Sequence, residues 1–183
     1  MPGYDCRMSA AIRLAVATDA AVLAGIAAVT FPLACKPHTP VAVVDAFIAR
    51  NFSVERFRRY LGDETHVILL AEVAGEPVGY TMLVFAPAAD PDVVAALTTQ
   101  PSAELSKCYV VAGQHGGGVA TALMARSIEL ARARGYASLW LGVNDENGRA
   151  NAFYARHGFA VVGTKTFEIG GILENDYTRE LIL

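Results

Sequence analysis

The order of strands and helices predicts a mixed α/β (α+β) fold, a single sheet with one parallel crossover and helices packed on its faces. Three stretches carry that prediction. Leu105–Val111 has the branched and aromatic content of a strand, Val119–Arg134 is an alanine- and leucine-rich helix, and Ala137–Val143 is a second strand. Together they make a strand–loop–helix–strand unit. His66–Val73 and Pro77–Phe85, joined by Ala74-Gly75-Glu76, read as a hairpin, and Phe159–Ile169 with Asp176–Leu183 supplies two closing strands.

The remaining elements follow in chain order. Residues 1–10 read as a flexible tail and residues 11–183 as one domain, since there is no internal repeat or low-complexity linker. Ile12, Leu14 and Val16 alternate with Arg13 and Ala15, the period of a first strand. Thr18-Asp19 is placed to cap a helix that Phe31-Pro32 ends. Thr39-Pro40 reads as an N-cap followed by proline at the first helical position, opening a helix to about Asn51. Ser53 starts a shorter helix, Val54–Leu61, closed by Gly62. Ala86–Ser102, rich in proline and aspartate, is a loop with one helical turn near Val93–Leu97, and loops of this length are often functional. Asn147–His157 is the last helix, stopped by Gly158.

Composition removes several function classes. The formal net charge is −3, which argues against nucleic acid as a partner. The charge is uneven: residues 1–100 hold 7 Lys/Arg against 10 Asp/Glu, an acidic bias that suits a cationic ligand or a plain solvated surface. Cys6, Cys35 and Cys108 are far apart, giving neither a disulfide framework nor a zinc site. The uncharged run Ala20–Cys35 is short for a membrane span, and nothing around it resembles a signal peptide. A cytoplasmic protein without metal is expected.

The chemistry starts at Gly116-Gly117-Gly118. Glycine at the mouth of a helix costs stability, so three in a row call for a reason. Close approach is one: backbone N–H groups there can face a bound anion at the positive helix end. A flexible turn with no ligand is the alternative. Further along, Asn147, Ala150, Phe153, Tyr154, Gly158 and Phe159 form a second motif.

On these two motifs the chain resembles the GNAT family of N-acetyltransferases over residues 11–183. In the first, Tyr109 onward is similar to the family's strand, pyrophosphate loop and helix. His115 takes the usual Gln/Arg place, Gly118 the first required glycine and Ala120 the Gly/Ala position. The second matches Asn-x-x-Ala-x-x-Phe-Tyr-x-x-x-Gly-Phe at every fixed place. The resemblance implies a mostly antiparallel twisted sheet with a splayed central parallel pair. It also implies acetyl-CoA as cosubstrate, with its pyrophosphate on the N–H groups of His115, Gly116, Gly117, Gly118, Val119 and Ala120, and Thr121 near enough to donate. The pantetheine arm would run beside Cys108, Tyr109 and Val110 and meet Asn147 beyond the splay.

The implied reaction is direct attack of a primary amine on the acetyl thioester in a ternary complex. By resemblance Tyr154 protonates the departing thiolate; an ordinary packed tyrosine is the alternative. An alkylammonium near pKa ~10.4 must lose a proton before it attacks. Glu104 is the candidate base, with Glu72 and Asp145 as rivals, and any of them also fits a solvated strand end. A backbone N–H near Val110 would polarise the carbonyl. His115 departs from the family pattern, so its backbone matters more than its ring. Cys108 reads as a small buried hydrophobe, since the family uses no acyl-cysteine. His115-Gly-Gly-Gly also looks like an esterase loop, but no Gly-x-Ser-x-Gly elbow accompanies it.

A narrower likeness, in Thr30-Phe31, Phe52-Ser53, Trp140 and Phe167–Leu181, is to the PaiA-type polyamine acetyltransferases, which implies spermidine or spermine as acceptor. Glu55, Asp45 and the 86–102 loop would then line the acceptor pocket or face water. Protein N-termini, lysines and antibiotic amines are other small or macromolecular acceptors the family admits. A non-catalytic acyl-CoA-binding regulatory module is a competing class, which the retained Tyr154 opposes. A dinucleotide-binding oxidoreductase fails because Thr121 holds the third glycine's place. Sheet ends in such domains often pair between subunits, so the resemblance allows a homodimer.

Overall fold

The computed structural model describes residues 10–183. The expected N-terminal tail therefore lies outside the described residues except for Ala10, which packs on the edge of the core. The strands are β1 (Ala11–Leu14), β2 (His66–Val73), β3 (Glu76–Val84), β4 (Ser102–Val110), β5 (Ser138–Asn144), β6 (Ala160–Ile169) and β7 (Ile172–Ile182). They form a seven-stranded sheet in the order β1-β2-β3-β4-β5-β7-β6. Every neighbouring pair is antiparallel except β4–β5, as the strand–loop–helix–strand unit predicts.

Helices α1 (Ala20–Thr30), α2 (Val41–Asn51) and α3 (Val54–Leu61) cover one face. Leu23, Ile26 and Ala27 of α1 and Phe57 of α3 are buried there against Ile68, Leu70, Tyr80 and Met82. The other face carries α5 (Val119–Ala133) and α6 (Gly148–Arg156). Leu83, Leu105, Leu139 and Leu141 pack there against Met124, Ala131 and Phe153. Leu69, Ala71, Val78 and Val110 form a further cluster with Val119 and Leu123 of α5, so side chains of the strands feed apolar cores on both faces. The remaining helix, α4 (Pro91–Ala96), lies on β6.

The predicted boundaries that fail do so for identifiable reasons. Asp19 does not cap α1: its carboxylate accepts from the Val16 N–H at 2.7 Å and is paired with Arg13, also at 2.7 Å. That guanidinium holds the Asp19 carboxyl below the usual carboxylate range. The α2 start is shifted by one residue. Pro40 is the N-cap and Val41 the first helical residue, while the Thr39 hydroxyl donates to Glu174 at 3.4 Å. Ser53 caps α3 as expected, accepting from the Arg56 N–H.

β7 begins at Ile172, well before the predicted Asp176, because Gly170-Gly171 forms a tight hairpin with β6. β4 begins at Ser102, and those extra residues matter. Ser102, Ala103 and Glu104 are the part of β4 that pairs with β5. Beyond Glu104 and Trp140 the two parallel strands part, and β5 keeps its pairing only to β7.

A bulge sits in the same place. β3 pairs Met82 with Lys107 and Leu83 with Leu105, leaving Ser106 extra. An inserted residue reverses which face the side chains before it occupy. Leu105 and Cys108 consequently share the α5–α6 face, while Lys107 and Tyr109 turn to the α1–α3 face. Glu104, opposite Val84, turns to that same face.

Candidate active site

The parting of β4 from β5 opens a cavity of about 700 Å³ through the sheet. Its walls on the α5–α6 side are Cys108, Tyr154, Ala150 and the loop ahead of α5. On the other side stand Glu104, Lys107, Tyr109, Phe167, Glu174 and Asp176, roofed by Phe31, Phe47 and Phe52. The roof is an aromatic cluster, with Phe31 and Phe47 stacked at 4.7 Å and Phe52 edge-on to Phe31 at 5.2 Å.

The glycine loop has the form of an anion cradle. Gly118 is the N-cap of α5 with φ +86°, and no side chain caps the helix. The N–H groups of the first helical turn are therefore left without an intrahelical partner. Gly116 also has positive φ, and a Cβ at Gly116 or Gly118 would meet no heavy atom within 4 Å. The open side is the cavity, which Gly116, Gly118, Ala120 and Thr121 border. Gly117 and Val119 do not border it; the Val119 side chain is in the core under Leu69 and Val110.

His115 is tied by its ring. Nδ1 faces the Arg149 guanidinium, which can only donate, so the proton is on Nε2, which donates to the Val110 carbonyl at 2.9 Å. Arg149 thereby reaches the cradle from the first turn of α6, a cation the sequence motifs left unmarked because it occupies a variable place. Asn147 is not on the cavity wall. Its Oδ1 accepts from the Ala150 N–H at 3.1 Å and caps α6, and Asn144 lines the cavity instead. Asn147 thus has a structural task at the start of α6.

Tyr154 is recessed in the wall beside Cys108. Burial, reinforced by Cys108 and Tyr109, pushes its phenol well above the ordinary value, so the hydroxyl stays protonated. Burial likewise pushes the Cys108 thiol up to about 12, which leaves it a packing residue. Of the three carboxylates proposed as a base, only Glu104 borders the cavity. Glu72 is paired with Arg13 at 2.9 Å and Asp145 with Lys36 at 3.4 Å. Asp176 was missed. Burial and its neighbours Glu174 and Asp145 raise it to about 6 against the opposing pull of Lys165 and Lys36.

The 86–102 loop does not line the acceptor side. Glu180 holds it on the sheet, accepting from the Thr98 N–H at 2.9 Å, its hydroxyl at 2.6 Å and the Thr99 N–H at 3.2 Å. Glu55 and Asp45 face water. The rim is formed instead by the α1–α2 segment, where Lys36 bridges to Glu146 at 2.8 Å. Among the described residues there is no cluster of metal-ligating side chains. No helix there is long and apolar enough to cross a membrane.

The acetyltransferase (GNAT) family model matches residues 33–159. The chain belongs to this GNAT family. An N-acetyltransferase of Mycobacterium tuberculosis, itself called uncharacterized, is 44% identical over 167 residues, covering 90% of this chain and 99% of that protein. The PaiA N-acetyltransferase of Thermoplasma acidophilum, solved with coenzyme A, superposes with a TM-score of 0.76 at 17% identity over 96% of this chain and all (100%) of that one. A ribosomal-protein-alanine N-acetyltransferase of Brucella melitensis gives a TM-score of 0.69 at 27% identity, covering 94% and 99%.

As a GNAT enzyme the protein is an acetyl-CoA-dependent N-acetyltransferase. Its own residues fit that cosubstrate. The uncapped start of α5 suits a pyrophosphate, and the unpaired edge of β4 beyond Glu104 suits an amide-bearing arm.

Proposed function

We propose that this enzyme acetylates the primary amine of a small molecule by direct attack within a ternary complex. One observation carries the reading: the cavity passes through the sheet, with the glycine cradle and Tyr154 on one side and an aromatic-roofed chamber holding carboxylates on the other. Acetyl-CoA supplies the activated acetyl thioester. Gly116, Gly118 and Ala120 hold the diphosphate by backbone N–H groups, with the Thr121 hydroxyl and Arg149 assisting. The free edge of Cys108–Val110 aligns the arm and, near Val110, offers an N–H to the carbonyl oxygen. Tyr154 holds a proton beside Cys108, where the thiolate departs. Glu104 takes the proton that the acceptor ammonium must lose, directly or through water.

The chamber is roofed by Phe31, Phe47 and Phe52, and the strapped Lys36 segment narrows its rim, which favours a small acceptor over a folded protein surface. Glu174 and Asp176 in its far wall favour a cationic acceptor, the feature that supports a polyamine reading.

The test is steady-state release of free CoA by wild type and Tyr154→Phe across amines, amino acids, aminoglycosides and short peptides. Amine-dependent release that falls ~100-fold in the variant, with acetyl-CoA affinity kept, is expected for loss of a general acid. Tight acetyl-CoA binding without release for any amine would instead support a regulatory module. Unchanged turnover in Tyr154→Phe would remove the acid assignment.

A further inference from the structure

The chamber contains a cation that the proposed chemistry does not use. Lys107 borders the cavity from β4, turned to the acceptor side by the bulge at Ser106. Its ammonium lies 5.2 Å from the Tyr60 ring centre and 5.9 Å from that of Phe52. Among the described residues it makes no ion pair, and its closest polar contact is the Ser106 hydroxyl at 3.4 Å. Arg56, on α3, adds to the same corner: its guanidinium lies 5.8 Å from the Tyr60 ring, and its Nε is buried without a hydrogen-bond partner. Two unpaired cations sharing one aromatic ring are a costly arrangement. The carboxylate facing them on β4, Glu104, stays outside ion-pair distance.

We infer that Lys107 recognises a carboxylate on the acceptor, so that the natural substrate is a small amino acid-like molecule bearing both an amine and a carboxylate, not a polyamine. This rests on the acetyltransferase reading above and names its substrate class. The charged groups of the chamber then divide the tasks, with Lys107 and Glu104 side by side on β4 and Asp176 across from them. Lys107 takes the anionic end, while Glu104 and the far-wall Asp176 attend the amine. A polyamine would place a second cation in the Lys107 corner, where like charges repel. The Phe52 and Tyr60 rings exclude water from the ammonium and strengthen its attraction for a carboxylate.

The experiment compares matched substrates that differ only at the far end: short ω-amino acids, and the alkylamines and diamines of equal chain length. Wild type is expected to favour the amino acid over the diamine by about tenfold or more in kcat/KM, and Lys107→Met to abolish that preference by a loss on the amino acid alone. Thermal melting and calorimetric CoA binding verify that the variant is folded and loads its cosubstrate. A preference for diamines in wild type, or a carboxylate preference that survives Lys107→Met, overturns the inference.

A second arm does not depend on turnover. Ligand-observed NMR on the CoA-loaded protein measures binding of pentanoate, which has the carboxylate and no amine. Binding in wild type that vanishes in Lys107→Met supports the anion site even if no amine in the panel is acetylated, in which case the small-amine reading alone fails. Absence of pentanoate binding to wild type overturns the inference.

Discussion

Gly118→Ala separates the cost of a backbone from the cost of a lost ligand contact, because the chain contains its own control. Gly118 precedes α5 with φ +86° and Gly135 follows it with φ +77°. At neither position would a Cβ meet a heavy atom within 4 Å. An alanine at either must bear the left-handed conformation, about 1–2 kcal/mol. For a domain of this size that lowers Tm by roughly 2–8 °C in both variants. Only Gly118 borders the cavity, where the first-turn N–H groups are uncapped. Relaxation of the strained residue there turns one of those donors off its anion. A hydrogen bond to a charged group is worth ~1.5–3 kcal/mol, so the Kd for CoA should rise ~10- to 150-fold. Gly135→Ala should leave it within about twofold. Calorimetric titration with CoA beside thermal melts reads both quantities. Equal loss of affinity in the two variants would mean that affinity merely follows stability, and unchanged affinity in Gly118→Ala would remove the cradle from the phosphate site.

Two further predictions concern charge and anchoring. Burial pushes Lys107 down to about 8, with Glu104 opposing that shift and Arg56 adding to it. The depressed value means the charge is present below pH 8 and lost as pH rises through it. The ratio of kcat/KM for an ω-amino acid over its alkylamine, in which the common amine titration largely cancels, should therefore decline between about pH 7 and 9. In Lys107→Met it should be flat, and a flat profile in wild type would contradict the assignment. By the same sign, burying this lysine costs stability below pH 8, a cost that disappears as pH rises toward the ordinary lysine value. Separately, Arg179 is buried on β7, where Nε donates to Asn151 Oδ1 at 3.0 Å and Nη1 to the Phe159 carbonyl at 2.9 Å. Arg179→Leu leaves both acceptors unpaired and should destabilise by ~2–4 kcal/mol, with KM for acetyl-CoA rising because α6 carries Tyr154. A Tm within about 2 °C of wild type would refute this anchoring.

The sequence revealed most where one local pattern determines one local structure. The apolar run His66–Val73 and the alanine-rich run after Gly118 each mark an element whose type and ends need no distant partner. The ends of β7 and β4 were hidden for the opposite reason. Glu174, Asn175 and Asp176 are poor strand formers that the sheet accepts because Asn144 donates to Glu174 at 2.8 Å and the cavity lies beside Asp176. Asp19 and Thr39 have the right residue types for caps, yet tertiary partners, Arg13 and Glu174, claim their side chains. The glycine cradle and Tyr154 were legible because motif spacing fixes them relative to a strand and a helix. Lys107 and Asp176 were not, since what distinguishes them is the chamber built around them by α2, α3 and β6.

The bulge at Ser106 explains how one strand can serve two ligands. Without it, strict alternation would put Glu104 and Cys108 on one face, with Leu105 and Lys107 on the other. Glu104, the proposed base, would then share the cosubstrate side, and a leucine would occupy the proposed acceptor chamber. The extra residue exchanges Leu105 with Glu104 while leaving Lys107 and Cys108 where they are. Hydrophobic Leu105 returns to the α5 core, and Glu104 joins Lys107 beside the opening. The same few residues mark where pairing with β5 ends. Splay and face exchange are thus produced at a single point in the chain. Deleting Ser106 should restore the alternation and drive Glu104 toward Met124 and Leu139, so the functional arrangement of β4 depends on that one residue more than on any side chain it displays.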